Sequence, residues 1–111
     1  MAVDPSVIMR VSLLAANFVL AVVSVPMMLG RVPPNQLYGF RTRLTLSKAE
    51  IWYSANAFAG GALFIAALVS TVALCLMPSR LLARVWVPLL VFAAPLAISV
   101  VASFLYIRRV E

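Results

Sequence analysis

Arg31-Val-Pro-Pro-Asn-Gln-Leu-Tyr-Gly-Phe-Arg-Thr-Arg-Leu-Thr-Leu-Ser-Lys-Ala-Glu-Ile-Trp-Tyr-Ser-Ala-Asn56 is the polar interruption in an otherwise aliphatic chain, and it holds four of the nine basic residues. On either side the sequence is apolar for long distances. The whole chain has 111 residues, is 65% hydrophobic and only 11% charged. So small a body has too little interior to hide that surface from water, which makes lipid its solvent. Three runs, about Val11–Leu29, Ala55–Met77 and Val85–Ile107, contain no charged side chain. At ~1.5 Å per residue each reaches ~28 to 35 Å, enough to cross a ~30 Å hydrocarbon core. The fold class is therefore an all-α integral membrane protein. Three transmembrane helices form one domain over residues 1–111, with an ordered motif-bearing loop between the first two.

The first run is longer than the core of a secretory signal, and Ser24-Val-Pro26 is a poor cleavage site, so it reads as a retained helix. Asp4-Pro5-Ser6 can open it, since proline is tolerated in a first turn. Its one strongly polar side chain, Asn17, is expected to hydrogen-bond to another helix, and Pro26 is expected to bend or end it. Gly30 stops the helix and Pro33-Pro34 prevents a restart, which leaves residues 35–46 as non-helical backbone. Ser47 followed by Glu50 reads as a capping box that starts the second helix near Lys48. On that helix Trp52, Asn56 and Gly60 recur every fourth residue and share a face, while Trp52 and Tyr53 suit the membrane interface. Pro78-Ser79 ends it, and residues 80–84 form a basic turn. Pro95 lies in the middle of the third span, where Ser99 or Ser103 can satisfy the carbonyl it frees.

The net charge of +6 sits at the ends of the spans, which points to anionic headgroups and topology rather than nucleic acid. Arg10, Arg80 and Arg84 fall on one side, with Arg31, Arg41, Arg43, Lys48, Arg108 and Arg109 on the other. That balance puts the N-terminus outside and the loop and C-terminus in the cytoplasm. There is no histidine and a single cysteine, Cys75, read as deep in the second span. The three carboxylates, Asp4, Glu50 and Glu111, are far apart in sequence. The usual acid-base, nucleophile and metal-ligand sets cannot be assembled from these residues, so neither an enzyme nor a cofactor protein is expected.

Pro33-Pro34-Asn35, Tyr38-Gly39-Phe40-Arg41-Thr42, Thr45-Leu46-Ser47, Glu50, Trp52-Tyr53, Asn56 and Gly60, taken in order, resemble the SdpI family of small bacterial membrane proteins. The family pattern is a Gly-Phe-Arg-Thr element, a Thr-Leu shortly after, then a Trp, an Asn and a Gly at helical spacing. Arg43 departs from it, standing where family members commonly have a small residue or proline. The founding member also has further spans that this chain lacks. The resemblance implies a bacterial inner-membrane protein and, for the founding member, immunity to a secreted toxic peptide with capture of a transcriptional repressor at the membrane.

Two readings of the loop stay open at this point. In one, Tyr38, Arg41, Thr42, Thr45, Trp52 and Asn56 form a pocket for an anion or polar headgroup. Arg41 is its planar donor fork, the threonines supply hydroxyls and the start of the helix supplies free amides. Pro34, Gly39, Phe40, Ser47, Glu50 and Gly60 would hold that pocket in shape. In the other, Arg41 pairs with Glu50, Asn56 ties loop to helix, and the motif is a structural plug. The leading functional expectation is a resistance or immunity type accessory protein that binds a membrane-active peptide or an anionic lipid headgroup. A component of a small transporter or channel, and a scaffold recruiting a cytoplasmic regulator, are the alternatives. Membrane lipids, a peptide toxin or a cytoplasmic regulator, and further copies of the chain in a homo-oligomer are the expected partners.

Overall fold

A computed structural model describes residues 3–35 and 37–110. Helix α1 runs Pro5–Met28, α2 Arg43–Ser47, α3 Ala49–Leu76, α4 Ser79–Leu82 and α5 Trp86–Val110, and no strand occurs among the described residues. The helices α1, α3 and α5 are each long and apolar enough to cross a membrane. With overall extents of 53 × 25 × 19 Å, the long axis exceeds a ~30 Å hydrocarbon core and reaches both interfaces.

Each end of α1 is written in the sequence. Asp4 is the N-cap, its carboxylate accepting from the Ser6 amide and hydroxyl at 2.9 Å each, and Pro5 occupies a first-turn position that needs no amide donor. The helix passes through Pro26 and ends two residues later at Met28. Gly30 then takes φ +70°. The Arg31 amide donates to the Pro26 carbonyl at 2.9 Å and the Gly30 amide to the Met27 carbonyl at 3.2 Å, the paired closure that a left-handed glycine permits.

The central helix is α3, packed against α1 on one side and α5 on another, while α1 and α5 scarcely touch. A Cβ on Gly60 would lie 2.7 Å from the Met28 nitrogen and the Ser24 carbonyl oxygen. Backbone therefore meets backbone there, the close approach that small residues allow between spans. Further along, the Asn17 side-chain amide donates to the Ser70 hydroxyl at 3.0 Å with both residues buried, which is the interhelical role expected of Asn17. A cluster of Met27, Val32, Trp52 and Ala59 fills the loop end, and Leu74, Met77 and Leu82 fill the other. At that second end the Arg10 guanidinium donates to the Met77 carbonyl, placing a cation at the negative C-terminus of α3.

Four expectations are corrected. The backbone between residues 35 and 46 is not wholly non-helical, because α2 begins at Arg43. Its capping box is Thr42 with Thr45, whereas α3 has Lys48 as N-cap with no side-chain cap bond, and the Ser47 hydroxyl donates back to the Leu44 carbonyl at 2.6 Å. Cys75 is the penultimate residue of α3 and exposed rather than deep. Neither Ser99 nor Ser103 reaches the carbonyl freed four residues before Pro95: Ser99 donates to Leu96 at 2.7 Å and Ser103 to Ser99 at 2.8 Å.

Candidate functional site

The loop after α1 folds back over the start of α3, tied to the backbone of α1 and to side chains of α3. The Asn35 side-chain oxygen accepts from the Leu37 and Tyr38 amides at 2.8 and 2.6 Å, an Asx turn that follows the stiff Pro33-Pro34 pair. Tyr38 then reaches back to α1, its hydroxyl donating to the Val23 carbonyl. From α3, the Trp52 indole donates to the Val32 carbonyl at 2.7 Å.

Asn56 makes the tightest clamp. Its Oδ1 accepts from the Phe40 amide at 2.6 Å, and its Nδ2 donates to the Phe40 carbonyl at 3.3 Å and to the Trp52 carbonyl at 2.9 Å. One buried amide thus satisfies an extended loop residue in the manner of a neighbouring strand. The approach is close enough to dictate Gly39. That residue has φ +110°, and a Cβ there would lie 2.7 Å from Asn56 Oδ1 and 3.1 Å from the Trp52 ring. Only glycine meets both conditions.

Thr42 and Thr45 cap α2 reciprocally, the Thr45 amide donating to Thr42 Oγ1 at 3.1 Å and the Thr42 amide to Thr45 Oγ1 at 2.7 Å. Thr45 is fully buried. Of the six residues expected to contact a ligand, Tyr38, Thr42, Thr45, Trp52 and Asn56 all hydrogen-bond within the protein. Trp52 has no exposed surface, so it lies under the loop rather than in an interfacial belt, and Tyr53 alone of the pair is exposed. Pro34, Ser47 and Glu50 are exposed around the motif's rim. Arg41 and Glu50 form no ion pair among the described residues, and both are exposed.

Arg41 stands apart from its neighbours in what it faces. It lies at the edge of an open cavity of about 370 Å³ between the loop, α1, α3 and α5, with Gly39, Phe40, Leu63 and Phe104 in its walls. In the α5 wall Phe40 meets Phe104 edge to face at 5.2 Å. Outside the cavity Phe58 of α3 stacks on Tyr106 of α5 at 4.5 Å, and both separations are ones at which rings attract beyond simple burial. Ser99 and Ser103 also line the cavity. The sequence reading used them only as helpers of Pro95, although two serines one turn apart in an apolar span mark a single face.

Chemically, the arrangement offers one charged donor fork above an apolar hollow. An exposed guanidinium suits a phosphate or carboxylate, and the hollow suits hydrocarbon. No curated protein and no solved structure matches the chain. The sequence profile of the SdpI/YfhL protein family matches residues 31–107, a stretch that takes in the loop, α3 and most of α5. With more than half of its length so matched, and with its motif folded onto a bundle of three membrane-spanning helices, this chain belongs to the SdpI/YfhL family.

Proposed function

We propose that the protein is a resistance or immunity type accessory protein of the bacterial inner membrane, which captures a membrane-active peptide or an anionic lipid headgroup at the mouth of the loop cavity. Arg41 is the cation that engages the ligand. The observation that carries this reading is the contrast among the six residues expected to contact a ligand: Tyr38, Thr42, Thr45, Trp52 and Asn56 hydrogen-bond within the protein, whereas Arg41 is exposed at the edge of an apolar cavity. Family membership supports the membrane and immunity setting. The loop and the C-terminus face the cytoplasm, in keeping with the excess of arginine and lysine at that end.

Arg41→Gln tests the reading, because an exposed side chain can be neutralised without disturbing the clamps beneath it. The variant is expected to accumulate in membranes and unfold like the parent, and to lose protection in a toxin-survival assay. Full protection by the variant would count against the proposal.

A further inference from the structure

The cavity below Arg41 does not end at Ser103. Ser99 stands in its wall and equally in that of a second cavity, about 350 Å³, which lies between α3 and α5 and is lined by Ala62, Ala66, Val69, Pro95 and Ala102. The two hollows therefore adjoin through one residue and extend from the loop toward the middle of the spans. From Ala59 in the first to Val69 in the second, α3 advances ~15 Å.

What can lie in such a groove is decided by its polar groups. The serine hydroxyls in the wall already donate, Ser99 to the Leu96 carbonyl at 2.7 Å and Ser103 to the Ser99 carbonyl at 2.8 Å. Every other residue of the deeper cavity is aliphatic. An extended peptide segment there would leave its backbone amides without partners, at a cost no apolar contact offsets. A hydrocarbon chain has no such groups. The head of the ligand is fixed by charge: Arg31, Arg41, Arg43, Lys48, Arg108 and Arg109 gather at the loop end, where Glu50 is the one carboxylate among the described residues.

We propose that the adjoining cavities form one binding groove for a single acyl chain of an anionic lipid, its headgroup at Arg41 and its chain running past Ser99 to Pro95. This rests on the reading of Arg41 as the ligand-binding cation and adds to it the nature of the ligand's apolar part. Chain length then becomes a determinant of affinity, since each further buried methylene adds to binding.

The test is native mass spectrometry of the full chain released from detergent, with lysophosphatidylglycerol bearing an octanoyl or a hexadecanoyl chain as probe. The unsubstituted protein is expected to bind one hexadecanoyl lipid at least ~10-fold more tightly than the octanoyl form. Ala62→Leu, which fills the deeper half, should bring the hexadecanoyl lipid down to the octanoyl value and leave the latter unchanged. Ala102→Leu enters the same space from α5 and serves if the first variant does not fold. Arg41→Gln should weaken both lipids alike. Equal binding of the two chain lengths, with Arg41→Gln still weakening both, overturns the groove and leaves the Arg41 site standing. No effect of Arg41→Gln on either lipid overturns the site and the groove together. An unacylated acidic peptide that binds as tightly as the hexadecanoyl lipid overturns the choice of an acyl chain.

Discussion

The side-chain amide of Asn56 holds the backbone of Phe40 from both sides, accepting from its amide at 2.6 Å and donating to its carbonyl at 3.3 Å. Removing that amide strips both partners at once, in a place where Asn56 itself is 1% exposed. Asn56→Ala is therefore expected to destabilise the protein by about 1–3 kcal/mol, the usual cost of leaving buried groups unpaired. Unfolding in mixed micelles measures it. Reduced abundance should accompany the loss, in contrast to Arg41→Gln, and an Asn56→Ala variant as stable as the parent would refute the clamp.

At Gly60 the prediction concerns the separation of two helices. A methyl group there meets the Met28 nitrogen and the Ser24 carbonyl oxygen at 2.7 Å and the Met27 Cβ at 2.9 Å, and backbone cannot step aside as a flexible side chain can. Gly60→Ala should cost about 1–3 kcal/mol through overpacking and push α1 away from α3. Distances between spin labels on the two helices would report the movement. Gly61→Ala is the control, because its nearest such neighbour is the Met28 sulfur at 3.9 Å.

The two tryptophans differ in what surrounds them. Trp52 is fully enclosed beneath the loop, whereas Trp86, at the start of α5, is 77% exposed. In vesicles containing lipids brominated along the chain, a Trp86→Phe protein should keep its fluorescence and a Trp52→Phe protein should be quenched. Equal quenching of both would mean that the loop does not cover Trp52 in the bilayer.

Asp4 supplies the one pH-dependent expectation. Hydrogen bonds from the Ser6 amide and hydroxyl hold its carboxyl below the ordinary aspartate value, so the ionised form is favoured by folding. The cap's contribution is present above the unfolded aspartate value and is lost as pH falls through the lower folded one. Amide exchange in the first turn of α1 should accelerate in that acid window. Asp4→Asn, which keeps a capping side chain without a titrating group, should remove the dependence.

How much of this was legible in the sequence varies with the reach of the interaction. The spans were plain because hydropathy acts residue by residue over twenty positions, and the shared face of Trp52, Asn56 and Gly60 followed from helical period alone. The capping box was misplaced because Ser47 with Glu50 fits the common pattern, while Thr42 with Thr45 satisfies the same geometry using a residue less usual at that position. The reading in which Arg41 pairs with Glu50 assumed a buried arginine in need of a partner, whereas both side chains are exposed. Least visible was the cavity, since its walls come from Val23, Phe40, Ala59 and Phe104, which meet only when distant helices pack. A Phe in an apolar span carries no mark of the partner it will find.

The loop clamps also have a mechanical consequence. Tyr38 ties the loop to α1, and Trp52 and Asn56 tie it to α3, so these two spans and their connection are cross-tied into one piece. Helix α5 is joined to that piece through α3 and aromatic contacts, scarcely touches α1, and contains Pro95, where a backbone hydrogen bond is missing. Of the walls around the space beneath Arg41, the one that α5 supplies is therefore held to the loop by ring packing and, among the described residues, by no hydrogen bond.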